Sequence, residues 1–134
     1  MTVFTINLKD DPKIIESYRR YHRDVWPEVQ QSLRRFGVER MDIYLLGRRL
    51  VMVVEMREGV DYRDAFRLHS TSSQRVAQWE QLMKSFQEPV SGAAPDEWWA
   101  AMEPVFQLDQ EIAAPGLNSQ QPAIDQLGDG ARTS

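Results

Sequence analysis

Apolar and polar positions change period along the chain, and the changes mark out its elements. From Thr2 to Lys9 they alternate. Phe4, Ile6 and Leu8 fall on one side and Thr5 and Asn7 on the other, as in a half-buried strand. "DDP" follows, with Asp11 placed to cap a helix and Pro12 at its first position, where the missing N–H costs nothing. Ile14, Ile15, Tyr18, Tyr21, His22 and Val25 then recur at helical spacing. Pro27 cannot continue an undisturbed helix, and it holds Trp26 extended. A second helical piece is expected after it, with Val29, Leu33 and Phe36 on the buried stripe and Gly37 at the stop. "MDIYLLGRRLVMVVEM" gives two strands about a turn at Gly47-Arg48, a hairpin. Its second strand, Leu50 to Met56, is apolar on both faces until Glu55, so both faces should be covered. Residues 60–70 form a weaker helical pattern. From Gln74 the pattern is clear, with Val76, Trp79, Leu82, Met83 and Phe86 on one helical face that ends before Pro89. "VSGAAPDEWW" reads as a loop. "AMEPVFQLD" reads as a last strand, held to an edge or a bulge by Pro104.

The order strand, helix, strand, strand, helix, strand predicts an α+β domain of ferredoxin-like type over residues 1–109: one four-stranded antiparallel sheet with helices on one face. The other sheet face is then open and partly apolar, through Val and Met of the third strand. A homodimer is the expected consequence. From residue 110 to 134 the chain turns rich in Gln, Ala, Gly, Pro and Ser and loses periodicity, which predicts a flexible tail with no catalytic role.

Composition removes several functions. Hydrophobic residues at 42% and charged residues at 27% are the balance of a soluble globular domain. The net charge of −4, with arginine pairs scattered at 19–20, 34–35 and 48–49, does not suit nucleic-acid binding. There is no Cys, so disulfides, thiolate catalysis and Cys-ligated metals are excluded. No apolar run approaches the length of a membrane span, and "MTVFTINLKDDP" does not read as a signal peptide. A cytoplasmic location is the expectation. Glycine-rich phosphate loops and nucleophile-elbow serines are absent, and two distant histidines do not make a metal site.

The chemistry therefore rests on few residues. His22 lies one helical turn after Tyr18, so both project from one face. A histidine can give and take a proton near pH 7, and a tyrosine within reach can donate a hydrogen bond or relay a proton. On spacing alone, though, the ordinary reading of such a histidine is a partly exposed helix residue. His69, before a "STSS" loop, reads as structural or surface. Four tryptophans are many for this length. Trp79 on its Val-Leu-Met-Phe face reads as core, but an indole also stacks on the C–H face of a sugar ring. Asp42 and Tyr44, two apart on the second strand, share a sheet face that leads either to a pocket or to solvent.

The segment Tyr18, His22, Trp26, Pro27 and Glu28, spaced Y-x-x-x-H-x-x-x-W-P-E, carries a resemblance. With the "IYL" strand (Ile43 to Leu45), "W-x-x-L-M" (Trp79, Leu82, Met83) and a closing "VFQL", it resembles the L-rhamnose mutarotase family over residues 1–109. The resemblance implies a ferredoxin-like dimer, a dimeric α/β barrel, that interconverts the α and β anomers of a 6-deoxy-L-pyranose without cofactor or metal. It implies His22 as the catalytic histidine, Tyr18 as its support and Trp79 as a pocket aromatic. Where rhamnose enzymes carry two adjacent tryptophans, this chain has Trp79 followed by Glu80. "DIY" at 42–44 and "LMKSFQEP" at 82–89 are similar to the branch that uses L-fucose.

On this reading His22 protonates the ring oxygen and Tyr18 orients it or shares the transfer. Tyr44 or Asp42 handles the anomeric hydroxyl, and Trp79 and Trp26 pack on the sugar. Ferredoxin-like dimers also include small monooxygenases and haem-degrading enzymes, and non-catalytic ligand-binding modules are a third class.

Overall fold

The computed structural model describes residues 1–108. Strand β1 (Thr2–Leu8) leads into α1 (Pro12–His22), whose first turn is capped by the Asp11 carboxylate accepting from the Lys13 N–H. The helix ends at His22. Trp26 is extended, at φ −55° and ψ 133°, as the residue before a proline must be, and Pro27 opens α2 (Pro27–Arg35). Gly37 then turns the chain at φ 107°, with Val60 Cγ1 3.0 Å from where a Cβ would stand, so both backbone and space require glycine. The hairpin of β2 (Val38–Leu46) and β3 (Arg49–Met56) follows, then α3 (Tyr62–Ser70) and α4 (Gln74–Phe86), capped by Asp61 and Ser73.

The sheet is antiparallel in the order β2-β3-β1-β4, the ferredoxin-like arrangement, with β1 and β3 at its centre. Its fourth position differs from the expected single strand. It is filled by two short pieces, β4 (Gln87–Glu88) and β5 (Ala100–Met102), both antiparallel to β1. Glu88 pairs with Asn7 and Ala100 with Thr5, so the chain leaves the sheet edge after β4 and returns almost where it left. Residues 89–99 form the excursion between them. "AMEPVFQLD" is therefore a strand only at its start. Pro104 has no N–H to donate to a ladder, and residues 103–108 carry no helix or strand. Residues 1–103 form one compact unit. The segment from 110, expected to be a tail, lies outside the described residues.

Alternation decides what each sheet face meets. Ile6, Leu8 and Leu50 are buried with Val29, Trp79 and Met83 of the helices, and Phe4, Met52 and Val54 with Leu33, Tyr62 and Phe66. On the opposite face Val3, Val51 and Val53 are only half-buried, and Tyr44 and Leu46 are exposed. Among the described residues, helices thus cover one face alone. β3 is apolar on both faces, as its sequence reads, but among the described residues helices cover only one of them. No helix among the described residues is long and apolar enough to cross a membrane.

Candidate functional site

A cavity of about 1210 Å³ opens between the helices and the inner sheet face. Tyr18 and His22 line it from the last turn of α1, Trp79 and Met83 from α4, and Leu45 and Leu50 from the sheet. Helical spacing puts Tyr18 and His22 one above the other, and their rings stack with centroids 4.1 Å apart at 29°. Trp79 meets the His22 ring edge-on at 5.5 Å, and Trp26 meets Trp79 the same way at 5.1 Å. The Arg75 guanidinium lies over the Trp26 ring, 3.6 Å from its centroid. Trp26 makes these contacts from the extended residue between α1 and α2.

The His22 ring has a defined proton. Its Nδ1 lies 2.9 Å from the Tyr18 carbonyl oxygen. A carbonyl only accepts, so Nδ1 donates and the neutral ring keeps its lone pair on Nε2. Burial pulls the His22 pKa below the ordinary histidine value, against the Tyr18 carbonyl, which favours the charged ring. The resting group is therefore a neutral base. Tyr18 is 4% exposed, and burial pushes its phenol far above the ordinary range, with a Gln87 hydrogen bond opposing. It stays protonated at neutral pH.

Gln87 and Trp98 belong to this site although spacing did not single them out. The Trp98 indole Nε1 donates to Gln87 Oε1 at 2.8 Å. The Gln87 oxygen is thereby taken, and its amide hydrogens are the part left to face the Tyr18 phenol. Trp98 and Trp99 also line the cavity, from the excursion between β4 and β5. The Glu97 carboxylate closes that excursion by accepting from the Ala94 and Ala101 N–H groups.

Two expectations are corrected. Asp42 and Tyr44 do share a sheet face, but it is the outer one. Their register partners Val53 and Val51 alternate with the buried Met52 and Leu50. Asp42 pairs there with Arg40 at 2.8 Å, and Tyr44 is 59% exposed. Within one chain neither reaches the His22 cavity. Trp26, expected on the sugar, stands behind Trp79 and is not part of the cavity wall. His69, read as structural or surface, is buried, and Glu80 beside Trp79 lines the same cavity.

The arrangement offers a neutral imidazole base, a protonated phenol stacked on it and indole walls in one partly apolar cavity. It suits proton transfer on a small neutral molecule with both hydroxyl and C–H faces. Comparison with known proteins agrees. The family model for L-rhamnose mutarotase matches residues 2–108. An L-fucose mutarotase of Xanthomonas campestris pv. campestris is 36% identical over 113 residues, covering 82% of this chain and 89% of its own. A UPF0734 protein of Dictyostelium discoideum is 35% identical over 107 residues, covering 78% and 86%. Among solved structures, an L-rhamnose mutarotase from Formosa agariphila superposes with a TM-score of 0.57 at 20% identity, covering 81% of this chain and 97% of that one. A tetracenomycin F2 cyclase from Streptomyces glaucescens, a type-II polyketide cyclase, does so at 0.51 and 10% identity, covering 79% and 93%. These two likenesses concern the fold.

Proposed function

The chain belongs to the L-rhamnose mutarotase family, a family of sugar isomerases, and from that premise we propose that it interconverts the anomers of a 6-deoxy-L-pyranose. L-Fucose is the first candidate, on the likeness to an L-fucose mutarotase, and L-rhamnose the second. The observation that carries the reading is the pinned tautomer of His22, which supplies one basic nitrogen on the wall of an indole-lined cavity.

Mutarotation breaks the C1–O5 bond, turns the aldehyde and recloses the ring on its other face. Opening takes a proton from the anomeric hydroxyl O1 and gives one to O5, so no net proton is consumed. His22 Nε2 takes the O1 proton. The Tyr18 phenol donates a hydrogen bond to the departing O5. Burial penalises tyrosinate, so the phenol keeps its proton, and the imidazolium hands its own to O5. One imidazole thus serves as base and then as acid, as ring protonation by His22 requires. Such transfer contributes on the order of 10²–10⁴-fold, and confinement of the open-chain aldehyde adds to it. Trp79 packs on the ring, and Trp26 buttresses Trp79.

The reading includes a homodimer joined through the open sheet face, where Val3, Val51, Val53 and Leu46 leave an apolar surface. It also includes a cytoplasmic location, in keeping with a chain without Cys.

The test is anomeric exchange by saturation-transfer NMR with L-fucose, L-rhamnose and D-glucose. Accelerated exchange of a 6-deoxy-L-sugar, lost in His22→Gln, is the expected result. No acceleration for any sugar overturns the reading.

A further inference from the structure

A second titratable cluster lines the cavity from α3 and α4, and the ring-opening step does not use it. His69 is 5% exposed, and its Nδ1 lies 2.7 Å from Ser32 Oγ. Ser32 Oγ lies 3.0 Å from Ser72 Oγ, and Ser72 Oγ donates to the His69 carbonyl at 2.7 Å.

Counting protons fixes the direction of every link. Ser72 spends its hydroxyl proton on the carbonyl, so Ser32 donates to Ser72. Ser32 then has no proton for His69, so His69 Nδ1–H donates to Ser32. The circuit closes on itself and leaves the neutral His69 ring with a lone pair on Nε2.

That lone pair stands 3.7 Å from Glu80 Oε2. With Glu80 ionised, two acceptors therefore face each other across the cavity wall, too far apart for a direct hydrogen bond. Burial reinforces the arrangement, because it favours the uncharged imidazole. On Glu80 burial works the other way, raising its carboxyl towards the protonated form, and the charge of Lys84 one turn on opposes this and favours the carboxylate that accepts. Converging acceptors without a donor are unfavourable unless something supplies one. The cavity is where a donor can enter, and both residues line it.

Resting on the mutarotase reading, we propose that Glu80 and His69 form a two-acceptor cradle for hydroxyls of the bound pyranose and so select among sugars. Adjacent ring hydroxyls can donate one proton to each acceptor. Trp79, the preceding residue, offers an apolar surface to the C–H face. A site of this kind discriminates strongly, since a sugar lacking one of these hydroxyls leaves a buried acceptor unsatisfied. Ser32 and Ser72 are positioning residues: they touch no sugar and hold the His69 tautomer.

The test is saturation kinetics of exchange, using the sugar on which the wild type is most active and its 2-, 3- and 4-deoxy analogues. For the wild type, at least one analogue loses roughly 10- to 100-fold in kcat/KM, the worth of one charge-assisted hydrogen bond. Glu80→Gln loses a similar factor on the parent sugar, mainly through KM, and nothing further on that analogue. Glu80→Asp, which keeps the charge on a shorter arm, retains part of the discrimination and checks that the helix tolerates change. If Glu80→Gln leaves the ranking of analogues unaltered, or loses equally on all of them, the cradle is refuted while the mutarotase reading stands. A wild type without exchange on any sugar removes the functional reading itself.

Discussion

Tyr18 and His22 are joined twice, by a ring stack at 4.1 Å and by a hydrogen bond from the imidazole Nδ1 to the Tyr18 carbonyl at 2.9 Å. The backbone sets the tautomer and the side chain sets the plane, so the two contributions can be separated by mutation. Tyr18→Phe keeps both the stack and the carbonyl and loses the phenol, with its hydrogen bond to O5 and the one it shares with Gln87. Its exchange rate should fall by about 10-fold, as for one lost hydrogen bond. His22→Gln should fall by roughly 10²–10⁴-fold with its circular dichroism unchanged. Equal losses in the two variants would contradict this division of roles.

The rate should depend on pH in one direction. His22 acts from its neutral form, and burial holds its pKa below about 6.5, the ordinary value. Catalysed exchange should therefore be constant at and above neutrality and fall as acid protonates the ring, with an apparent pKa below that value. A profile that rises towards acid would assign His22 the opposite starting state.

Stability should carry the same sign. His22 and His69 both have depressed folded-state values. The unfolded chain then binds protons first, so the contribution of these residues is fully present above about pH 6.5 and drains as the pH falls through the folded values. Glu80 works in the opposite sense, since its raised value lowers stability as the pH climbs through it. Urea midpoints should drop between pH 7 and pH 5, and less so in His69→Gln measured against its own neutral value.

Trp98→Phe should remove the donor that holds the Gln87 oxygen. The cost is about 1 kcal/mol in a urea titration, the net worth of a hydrogen bond. Gln87 also becomes free to rotate its amide, so the variant should lose exchange rate beyond what the change in stability explains.

The proposed dimer turns on the outer sheet face. Val53 sits at its centre, between Asp42 on β2 and Val3 on β1. Val53→Asp would place a carboxylate in a buried interface and should give a monomer in sedimentation at micromolar concentration. Wild-type protein that is already monomeric there would dispose of the dimer.

Local chemistry made most of the fold legible. Alternation in "TVFTINL", the cap at Asp11, the Pro27 break and the helical period from Gln74 each placed an element where it lies. Gln87-Glu88 was not legible, because two residues show no period, and their strand character comes wholly from pairing with β1. The pocket was half legible. Helical spacing puts Tyr18 beside His22 whatever else the chain does. A period of two tells that Asp42 and Tyr44 share a face but not which face is roofed by helices, and the roof went over the other one. Glu80, His69 and Gln87 owe their environments to contacts between separate elements, which no local pattern records.

The divided fourth strand has a consequence for how such a protein can change. The excursion of residues 89–99 departs from and rejoins β1 within two register positions, so its length is uncoupled from the sheet. Insertions, deletions or grafts there can remodel the wall that Trp98 and Trp99 provide without shifting β1 or the His22 imidazole. Substrate range can thus drift, or be engineered, by exchanging one cassette while the proton-handling machinery is inherited intact.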